Sequence, residues 1–540
     1  MAVTLTFHGA CATVTGSCFE LRTRHAGVLI DCGMFQGTKT IKALNYGAFP
    51  FAPDSIAAVI ATHAHIDHCG LVPKLIAAGF SGPVHATPAS ADLMTYVLPD
   101  SGYIQEIEVE RLNRRNRQRG QPQVEPIYTR AIAEHALQRL RPQGYDRWFD
   151  VAPGLRARFW NAGHILGSAS VEIEARERLD GAADGTTGRS DAIRILFSGD
   201  IGPSDKSFHT NPQAPAGLDI VVMESTYGGT VRAARSPARR RKILLAELRA
   251  ALRAGGMILI PAFAVERTQE LLVDLDALMD AGELPALPIF VDSPLARHAT
   301  KVFDRHLADI DGDGTHPFRR ANVRFVETAE ESKRLNRLRG GAIIMAGSGM
   351  CDAGRIRHHL KAHLGRADTT VLLVGYQAPG TLGRLLADGT KIVRIHGEET
   401  AVGARIRLLD EYSGHADAPH LAAWLAARAP VAHQTFLVHG EEAARAALAA
   451  RLRAGGVRKL HLPVHGETVR LARRDGARTI RVRAGLDVAA VAAADWHNAY
   501  AATVIDLKAQ LAGLPSDAAR HKLLKKLRAD LSGGRRRGGR

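Results

Sequence analysis

The stretch Thr62-His63-Ala64-His65-Ile66-Asp67-His68-Cys69-Gly70 follows a short apolar run, Ala57 to Ala61, and precedes an apolar helical pattern that begins near Leu71. In an extended loop alternate side chains point the same way, so His63 and His65 can hold one metal ion while Asp67 and His68 turn toward a second. Imidazole and carboxylate are ligands that Zn²⁺ accepts, and a ligand set without Cys leaves positions for water. This stretch therefore predicts a two-metal site, because surface histidines rarely match such spacing by accident.

Two residues farther along the chain have the character to complete a binuclear cage. His164 lies in a glycine-flanked turn, Asn161-Ala-Gly-His164-Ile-Leu-Gly, between two predicted strands. Asp200 follows the predicted strand Ile195 to Phe197. A carboxylate can bridge two metals because its two oxygens diverge. Each residue alone is explained better as part of an ordinary turn, and only the shared pattern indicates a ligand.

The apolar periodicity changes near residue 216. Short strands and turns precede this point, whereas regular strand and helix alternation follows it, with a helix start at Ser236-Pro237 and a stop at Gly255-Gly256. That alternation predicts a second domain with a mostly parallel sheet. Two helical stripes and a Gly/Arg-rich end follow residue 485 and predict a helical hairpin with a disordered tail. We therefore expect a core in two parts, residues 1–215 and 405–484, with an inserted domain at residues 216–404. An extension at residues 485–540 follows the core.

The composition is that of a large globular protein with excess positive charge. The 540 residues are 46% hydrophobic and 23% charged. The formal net charge of +16 favours a polyanionic partner, although an Arg-rich composition set by codon usage explains it equally well. The five cysteines form no Cys-x-x-Cys pair, which argues against a disulfide framework and a thiolate zinc site. The sequence has no signal-peptide pattern and no run of about 18 apolar residues, so we expect a cytoplasmic protein without a membrane segment.

The order of the candidate ligands resembles the successive motifs of the metallo-β-lactamase superfamily. Asp31, the stretch from His63 to His68, His164 and Asp200 correspond to its four motifs. Three further stretches resemble the extra motifs of its β-CASP branch, and they are Glu224-Ser-Thr-Tyr-Gly, Ser413-Gly-His415-Ala-Asp417 and Leu437-Val-His439-Gly-Glu441. That branch includes RNase J, the pre-mRNA cleavage and polyadenylation endonuclease, and DNA-repair nucleases related to Artemis. The resemblance covers roughly residues 1 to 480 and implies an α/β protein, with a four-layer αββα core and an inserted β-CASP domain of mostly parallel sheet.

The same resemblance implies a role for each matched residue. One zinc would be held by His63, His65, His164 and Asp200, and the other by Asp67, His68, His439 and a bridging Asp200. Mn²⁺ is the alternative to the two Zn²⁺ ions. Asp31 resembles a carboxylate that orients a ligand, and Glu224 with His415 resembles an acid/histidine pair near the leaving group. A histidine at position 439, where DNA-directed members commonly carry valine, is typical of RNA-directed members.

The triplet His-Gly-Glu occurs three times, and position separates its members. His439 follows the apolar strand Thr435 to Val438 and comes shortly after His415, as the last motif should. His396 precedes His415, and His465 lies too far downstream. We therefore interpret His396 and His465 as β-turn residues.

Glycine-rich loops of the inserted region predict contacts with phosphate. Such loops expose backbone N–H groups, and nearby hydroxyl and guanidinium groups add donors. The candidate contacts are Ser348, Thr381, Arg267 and Arg384. Turn serines and helix-surface arginines explain any one of them equally well.

Together these patterns predict a zinc-dependent ribonuclease that hydrolyses single-stranded RNA through a hydroxide bridging two metals, with Asp67 helping to orient it. His415, held by Glu224, would protonate the departing 3′-oxygen and leave a 5′-phosphate. A thioester or lactam hydrolase, a DNA nuclease and a non-catalytic RNA-binding scaffold are the alternatives. The inserted region counts against a thioester or lactam hydrolase, and the complete ligand set counts against a non-catalytic scaffold. The sequence leaves open endonuclease against 5′–3′ exonuclease action, the RNA target and homodimer formation.

Overall fold

Two large sheets form the centre of the protein. The computed structural model describes residues 3–176, 192–204, 206, 209–232, 236–306, 318, 320–375, 377, 380–472, 476–482, 507, 510, 511 and 513–534. In spatial order the first sheet contains β23 (Gly476–Val482), β22 (Glu467–Ala472), β1 (Val3–Phe7), β2 (Phe19–Arg22), β3 (Gly27–Ile30), β4 (Ile56–Ile60), β5 (Val84–Ala86) and β6 (Leu140–Pro142). The second contains β21 (Leu460–His461), β20 (Gln434–Val438), β11 (Ile220–Glu224), β10 (Ala192–Phe197), β9 (Ala169–Arg176), β8 (Leu155–Asn161) and β7 (Phe149–Ala152).

The two sheets pack face to face and are covered by helices on their outer faces. One hydrophobic core joins their inner faces, where Phe7 lies 5.2 Å from Phe436 and Phe19 lies 6.0 Å from Phe197, ring centre to ring centre. Short helices α1 (Lys39–Ala43) and α2 (Ile66–Cys69) follow β3 and β4. The outer layers are α3 (Val72–Ala77), α4 (Pro88–Gln118) and α5 (Arg130–Ala136) on the first sheet, and α12 (Ala418–Ala426) and α13 (Glu442–Ala454) on the second. This arrangement confirms the predicted αββα core.

A third sheet forms the inserted region, and its described pairings are all parallel. Its spatial order is β14 (Val323–Phe325), β13 (Ile289–Val291), β15 (Ile343–Ala346), β12 (Ile258–Pro261), β16 (Thr370–Val374) and β19 (Arg405–Leu409). One face carries α6 (Pro237–Ala254), α7 (Arg267–Asp280) and α8 (Pro294–Arg305), and the other carries α9 (Ala329–Leu335), α10 (Ile356–His363) and α11 (Leu382–Ala387). A hairpin of β17 (Ile392–Ile395) and β18 (Glu398–Ala401) precedes β19. The predicted mostly parallel inserted sheet is therefore confirmed.

Sheet membership corrects two of the predicted domain boundaries. β11 lies inside the predicted segment 216–404, yet it pairs with β10 and β20 of the second core sheet. β19 begins where the second part of the core was predicted, yet it pairs with β16 of the inserted sheet. Parallel strands of both sheets have similar apolar sequences, so periodicity alone could not assign these two strands. We propose that the inserted region spans residues 225–409.

Several local predictions are confirmed. Ser236 caps α6, since its side chain accepts the N–H of Arg239, and Gly255 ends that helix in the left-handed conformation with a φ of 79°. His396 lies in the turn between β17 and β18, and His465 lies in the turn before β22. A polar, glycine-rich stretch separates the antiparallel strands β9 and β10, and its residues 177–191 lie outside the described residues.

The chain consists of two compact units, Met1–Val491 and Ala492–Arg540. In the second unit α14 (Asp517–Gly534) follows Ser516, whose Oγ accepts the N–H of Ala519 at 3.3 Å. This helix confirms the second predicted helical stripe. Most of the first stripe and the Gly/Arg-rich tail from 535 onward lie outside the described residues. Across the described part of the chain, no helix is both long and apolar enough to span a membrane.

Candidate metal centre

The predicted ligands lie in loops where strands of the two core sheets end. His63 and His65 follow β4, Asp200 follows β10, and His439 follows β20 directly. β10, β11 and β20 are parallel neighbours, with Phe197 beside Val222 and Glu224 beside Val438. Because parallel strands end at the same edge of a sheet, their following loops meet there.

Four residues from the loops that follow β4, β8 and β10 form the first cluster. One side-chain ligand atom from each of His63, His65, His164 and Asp200 lies within 4.8 Å of the others. His65 Nδ1 is 3.1 Å from His63 Nε2 and 3.2 Å from His164 Nε2. Asp200 Oδ2 is 3.6 Å from His63 Nε2 and 3.5 Å from His164 Nε2. The structure thus brings together the four residues predicted to share one ion.

Asp67, His68 and His439 form the second cluster, again with ligand atoms within 4.8 Å of one another. His68 Nε2 lies 3.2 Å from His439 Nε2, and His439 Nε2 lies 3.8 Å from Asp67 Oδ2. The short helix α2 carries both Asp67 and His68. Its close approach to the preceding loop requires a glycine, because a Cβ on Gly33 would come within 1.7 Å of the Asp67 carbonyl oxygen.

Asp200 lies between the two clusters. Its Oδ2 faces His63 and His164, whereas its Oδ1 lies 3.4 Å from His68 Nε2. Asp200 is 2% exposed, and Oδ1 accepts no hydrogen bond from the described residues. A buried carboxylate oxygen without a donor is costly unless a cation lies beside it. Asp200 therefore fits a carboxylate that bridges two metal ions.

The protonation states of the first cluster fit metal binding, whereas at the second cluster Asp200 and Asp31 raise the pKa of His68 well above its ordinary value despite its burial. Burial, helped by neighbouring imidazoles, lowers the pKa of His63 and of His164 well below the ordinary value, so both offer a lone pair. Burial alone would raise the pKa of Asp200, but the surrounding imidazoles, His439 and His68 foremost, hold that pKa well below its usual range. Neutral imidazoles around ionised carboxylates are the states that a divalent cation requires.

Asp31 forms a hydrogen bond with His68, a predicted ligand of the second cluster. Its Oδ2 accepts a hydrogen bond from His68 Nδ1 at 2.7 Å, and its Oδ1 accepts the N–H of Thr62 at 2.7 Å. A proton on Nδ1 leaves the Nε2 lone pair of His68 facing the cluster. His164 is oriented in the same way, since its Nδ1 donates to the Gly414 carbonyl at 2.8 Å. Asp31 thus has the contact expected of a residue that orients a ligand.

The predicted acid/histidine pair lies beside the first cluster. His415 Nδ1 is 3.1 Å from Glu224 Oε1, and His415 Nε2 is 3.9 Å from Asp200 Oδ2. Burial would lower the pKa of His415, but the carboxylates of Glu224 and Asp200 raise it above its ordinary value. Asp200, Glu224 and His415 also form a third group that could hold a metal. The oxygens of Glu224, however, already accept backbone N–H groups of Ile201 and Thr226, which favours an ion-paired imidazolium here.

Two of the four predicted phosphate contacts are buried and already have protein partners. Thr381 is 1% exposed, and its side chain caps α11 by accepting the N–H of Arg384. Arg267 is 7% exposed and forms a buried ion pair with Glu270. Their contact with phosphate stays a prediction. Ser348 is half-buried in its glycine-rich loop, and Arg384 is exposed and pairs with Asp388 at 2.9 Å, so these two stay predictions.

Two hydroxyl groups that contact the clusters were not predicted. Thr62 Oγ1 donates to Asp31 Oδ2 at 3.0 Å and lies 3.0 Å from His63 Nδ1. Thr226 Oγ1 lies 3.1 Å from His439 Nδ1. Thr62 directly precedes His63, and Thr226 lies two positions after Glu224, so both belong to the predicted motifs. That position was the available signal, because a hydroxyl beside a ligand is a common orienting group.

Comparison with known proteins agrees with this geometry. The family model described as Metallo-beta-lactamase superfamily matches residues 13–120, the Beta-Casp domain matches residues 268–386, and the Zn-dependent metallo-hydrolase RNA specificity domain matches residues 399–463. Ribonuclease TTHA0252 of Thermus thermophilus is 37% identical over 441 residues, which span 80% of this chain and 92% of that protein.

Two archaeal proteins are also similar over most of the chain. Transcription termination factor FttA of Methanosarcina mazei is 29% identical over 488 residues, covering 87% of this chain and 72% of that protein. The RNase J-like protein of Methanocaldococcus jannaschii is 29% identical over 450 residues, covering 81% of this chain and 93% of that protein. With the αββα core, the inserted parallel sheet and the two converging ligand clusters, these similarities establish that the chain belongs to the metallo-β-lactamase superfamily, in the branch that carries the Beta-Casp domain.

Proposed function

We propose that this chain is a metal-dependent ribonuclease that hydrolyses phosphodiester bonds in single-stranded RNA. The observation that carries the proposal is the convergence of two histidine and carboxylate clusters on Asp200, with His415 Nε2 3.9 Å from the same carboxylate. Two cation sites beside a proton donor are what phosphodiester hydrolysis requires. The names of the relatives, a ribonuclease and an RNase J-like protein, support the same reaction class.

Two Zn²⁺ ions are the proposed cofactors, with Mn²⁺ as the alternative. His63, His65, His164 and Asp200 would hold one ion, and Asp67, His68, His439 and Asp200 the other. Bound there, the ions supply Lewis-acid activation of water and of a phosphoryl oxygen. The imidazole-rich donor set and the description of the matched RNA specificity domain as Zn-dependent support zinc.

His415 is the proposed donor of the proton that the leaving 3′-oxygen takes up. Its Nδ1 side is held by Glu224, so its Nε2 side faces the clusters. The carboxylates of Glu224 and Asp200 raise the pKa of His415 despite its burial, and so they favour the protonated imidazole that a proton donor needs. Glu224 keeps that orientation through the backbone N–H groups of Ile201 and Thr226. The products would be a 5′-phosphate and a 3′-hydroxyl.

RNA is favoured over DNA and over small thioesters or lactams. A histidine at position 439 is typical of RNA-directed members, and the model matching residues 399–463 is described as an RNA specificity domain. The net charge of +16 suits a polyanion. Glu224, His415 and the inserted sheet have no evident use in thioester or lactam hydrolysis. Ser348 and Arg384 stay candidate phosphate contacts, and the cytoplasmic location and a homodimer stay sequence-based predictions.

The test is cleavage of 5′-labelled and internally labelled single-stranded RNA and of the matching DNA, with chelator-treated protein before and after addition of Zn²⁺ or Mn²⁺. We expect metal-dependent cleavage of RNA in preference to DNA, and product lengths will distinguish internal cutting from 5′ exonuclease action. His439→Ala should abolish cleavage. The matched control is His396→Ala, which alters the same His-Gly-Glu triplet in an exposed turn and should keep full activity.

Three outcomes would contradict the proposal. One is cleavage that survives complete removal of metal. Another is equal loss of activity in His439→Ala and His396→Ala. The third is turnover of a glutathione thioester without cleavage of RNA, which would favour the small-molecule hydrolase.

A further inference from the structure

The turn that carries His164 is held by two charged residues from distant parts of the chain. Within the turn, Ser168 Oγ accepts the N–H groups of His164 and Ile165 at 3.0 and 3.2 Å. From outside it, Lys206 Nζ donates to the His164 carbonyl at 2.6 Å. Glu266 Oε2 accepts the N–H of Leu166 at 3.2 Å. The His164 turn thus depends on a core loop and on a residue of the inserted region.

Glu266 and Lys206 form one buried ionic unit. Lys206 Nζ lies 2.5 Å from Glu266 Oε1, and His209 Nε2 lies 2.5 Å from the same oxygen. The side chains of Lys206 and Glu266 are each 3% exposed. Burial would raise the pKa of Glu266, but His209 and Lys206 hold it below its usual range. A charged pair this deeply buried persists only when its hydrogen bonds are satisfied. Two of those bonds involve the His164 turn, one from Lys206 to the His164 carbonyl and one from the Leu166 N–H to Glu266.

The backbone at Glu266 indicates that its side chain has a specific task. Its φ is 74°, in the left-handed region that glycine adopts without strain and other residues rarely adopt. The residue directly precedes α7, where a glycine would satisfy the backbone. The contacts of the carboxylate with Lys206, His209 and Leu166 therefore offset a conformational cost at this position.

We propose that Glu266 and Lys206 are positioning residues that set His164 for metal binding, so that the inserted region completes the first metal site of the core. This inference rests on the proposed function, in which His164 is a metal ligand. Gly414 fixes the ring of His164 through Nδ1, and the Lys206–Glu266 pair fixes the main chain of the turn. The second site does not use this turn, because Asp67 and His68 lie on α2 and His439 follows β20.

Unequal loss of the two metal sites distinguishes positioning from general stabilisation. Glu266→Gln keeps an amide oxygen for the Leu166 N–H but removes the charge opposite Lys206. The matched control is Glu172→Gln, which alters another fully buried carboxylate, one bound by Arg158, Arg194 and Trp160. A double variant, Lys206→Met with Glu266→Gln, removes both charges and relieves the unpaired lysine, so it provides a folded protein if the single variant unfolds.

The experiment is stepwise Zn²⁺ binding to the metal-stripped full chain, measured by competition with a chromophoric chelator, together with thermal unfolding. Loss of an orienting partner typically weakens metal affinity about 10- to 100-fold. We expect a loss of that size at one of the two sites in Glu266→Gln and in the double variant, with the other site unchanged. Glu172→Gln should keep both affinities even if its Tm falls.

Wild-type affinity at both sites in the double variant would overturn the inference while leaving the proposed function intact. Equal weakening of both sites would also overturn it, because it would indicate a general structural role. If the wild-type chain binds no Zn²⁺ at all, the proposed metal centre fails and the inference fails with it.

Discussion

Asp31→Asn should weaken metal binding without unfolding the protein. Asp31 accepts hydrogen bonds from His68 Nδ1, from Thr62 Oγ1 and from the N–H of Thr62, and it is 1% exposed. An asparagine NH₂ in place of Oδ2 would face His68 Nδ1 as a donor, so Nδ1 must accept and the imidazole proton moves to Nε2. An NH₂ in place of Oδ1 would face the N–H of Thr62, another donor. The first rotamer therefore places a proton on the Nε2 atom that faces the second cluster, and the second rotamer leaves the Thr62 N–H without its acceptor.

The size of this effect follows from the kind of contact removed. Loss of a hydrogen-bonding partner of a metal-bound histidine lowers metal affinity about 10- to 100-fold, which is about 1.4 to 2.7 kcal/mol. The assay is Zn²⁺ binding to the metal-stripped protein against a competing chelator. Because His68 belongs to the second cluster, one of the two binding steps should shift and the other should stay.

A matched control is Asp292→Asn in the inserted sheet. Asp292 is equally buried and accepts from Ser332 Oγ at 2.5 Å, His359 Nε2 at 2.7 Å and Arg355 Nη1 at 2.6 Å. That variant should lose stability but keep both Zn²⁺ affinities. Unchanged affinity in Asp31→Asn, or the same loss in both variants, would refute the orienting role of Asp31.

Three further predictions concern catalysis and the core. His415→Ala should lower kcat by about 10²- to 10⁴-fold while two metals stay bound. RNA cleavage measures the first effect and elemental analysis the second, and loss of the metals as well would contradict the role of His415 as proton donor. Because Glu224 raises the pKa of His415 despite its burial, the protonated donor is present below that raised pKa and lost as pH rises through it. The alkaline limb of kcat should therefore move to lower pH in Glu224→Gln, and an unmoved limb would exclude His415 as its source. Phe436→Ala, at the contact with Phe7 between the sheets, should reduce the free energy of unfolding by about 3 to 5 kcal/mol in denaturant titrations, whereas a loss below about 1 kcal/mol would contradict the packing.

Local pattern predicted the ligands from His63 to His68, whereas the grouping with His164, Asp200 and His439 came from the resemblance to the order of the family's motifs. The spacing of His63, His65, Asp67 and His68 reflects the geometry of an extended loop entering a helix, which neighbours alone determine. His439 could be separated from His396 by its position after a strand. The partners that orient the ligands were less accessible. The contact between Asp31 and His68 depends on the pairing of β3 with β4, which local pattern does not specify.

The errors have a common physical origin in long-range contacts. β11 and β19 were assigned to the wrong regions because an apolar run does not state which sheet will accept it. Arg267 and Thr381 stay predicted phosphate contacts, although Glu270 and the start of α11 engage their side chains. Glu266 was not predicted, because nothing in its local sequence indicates that Lys206 will lie beside it.

The most direct test of the two-metal centre is anomalous diffraction at the zinc edge from crystals grown with Zn²⁺. We predict two peaks about 3.5 to 4 Å apart with Asp200 between them, one contacting His63, His65 and His164 and the other contacting Asp67, His68 and His439. A single peak, or peaks that do not share Asp200, would contradict the proposed centre and the reaction built on it.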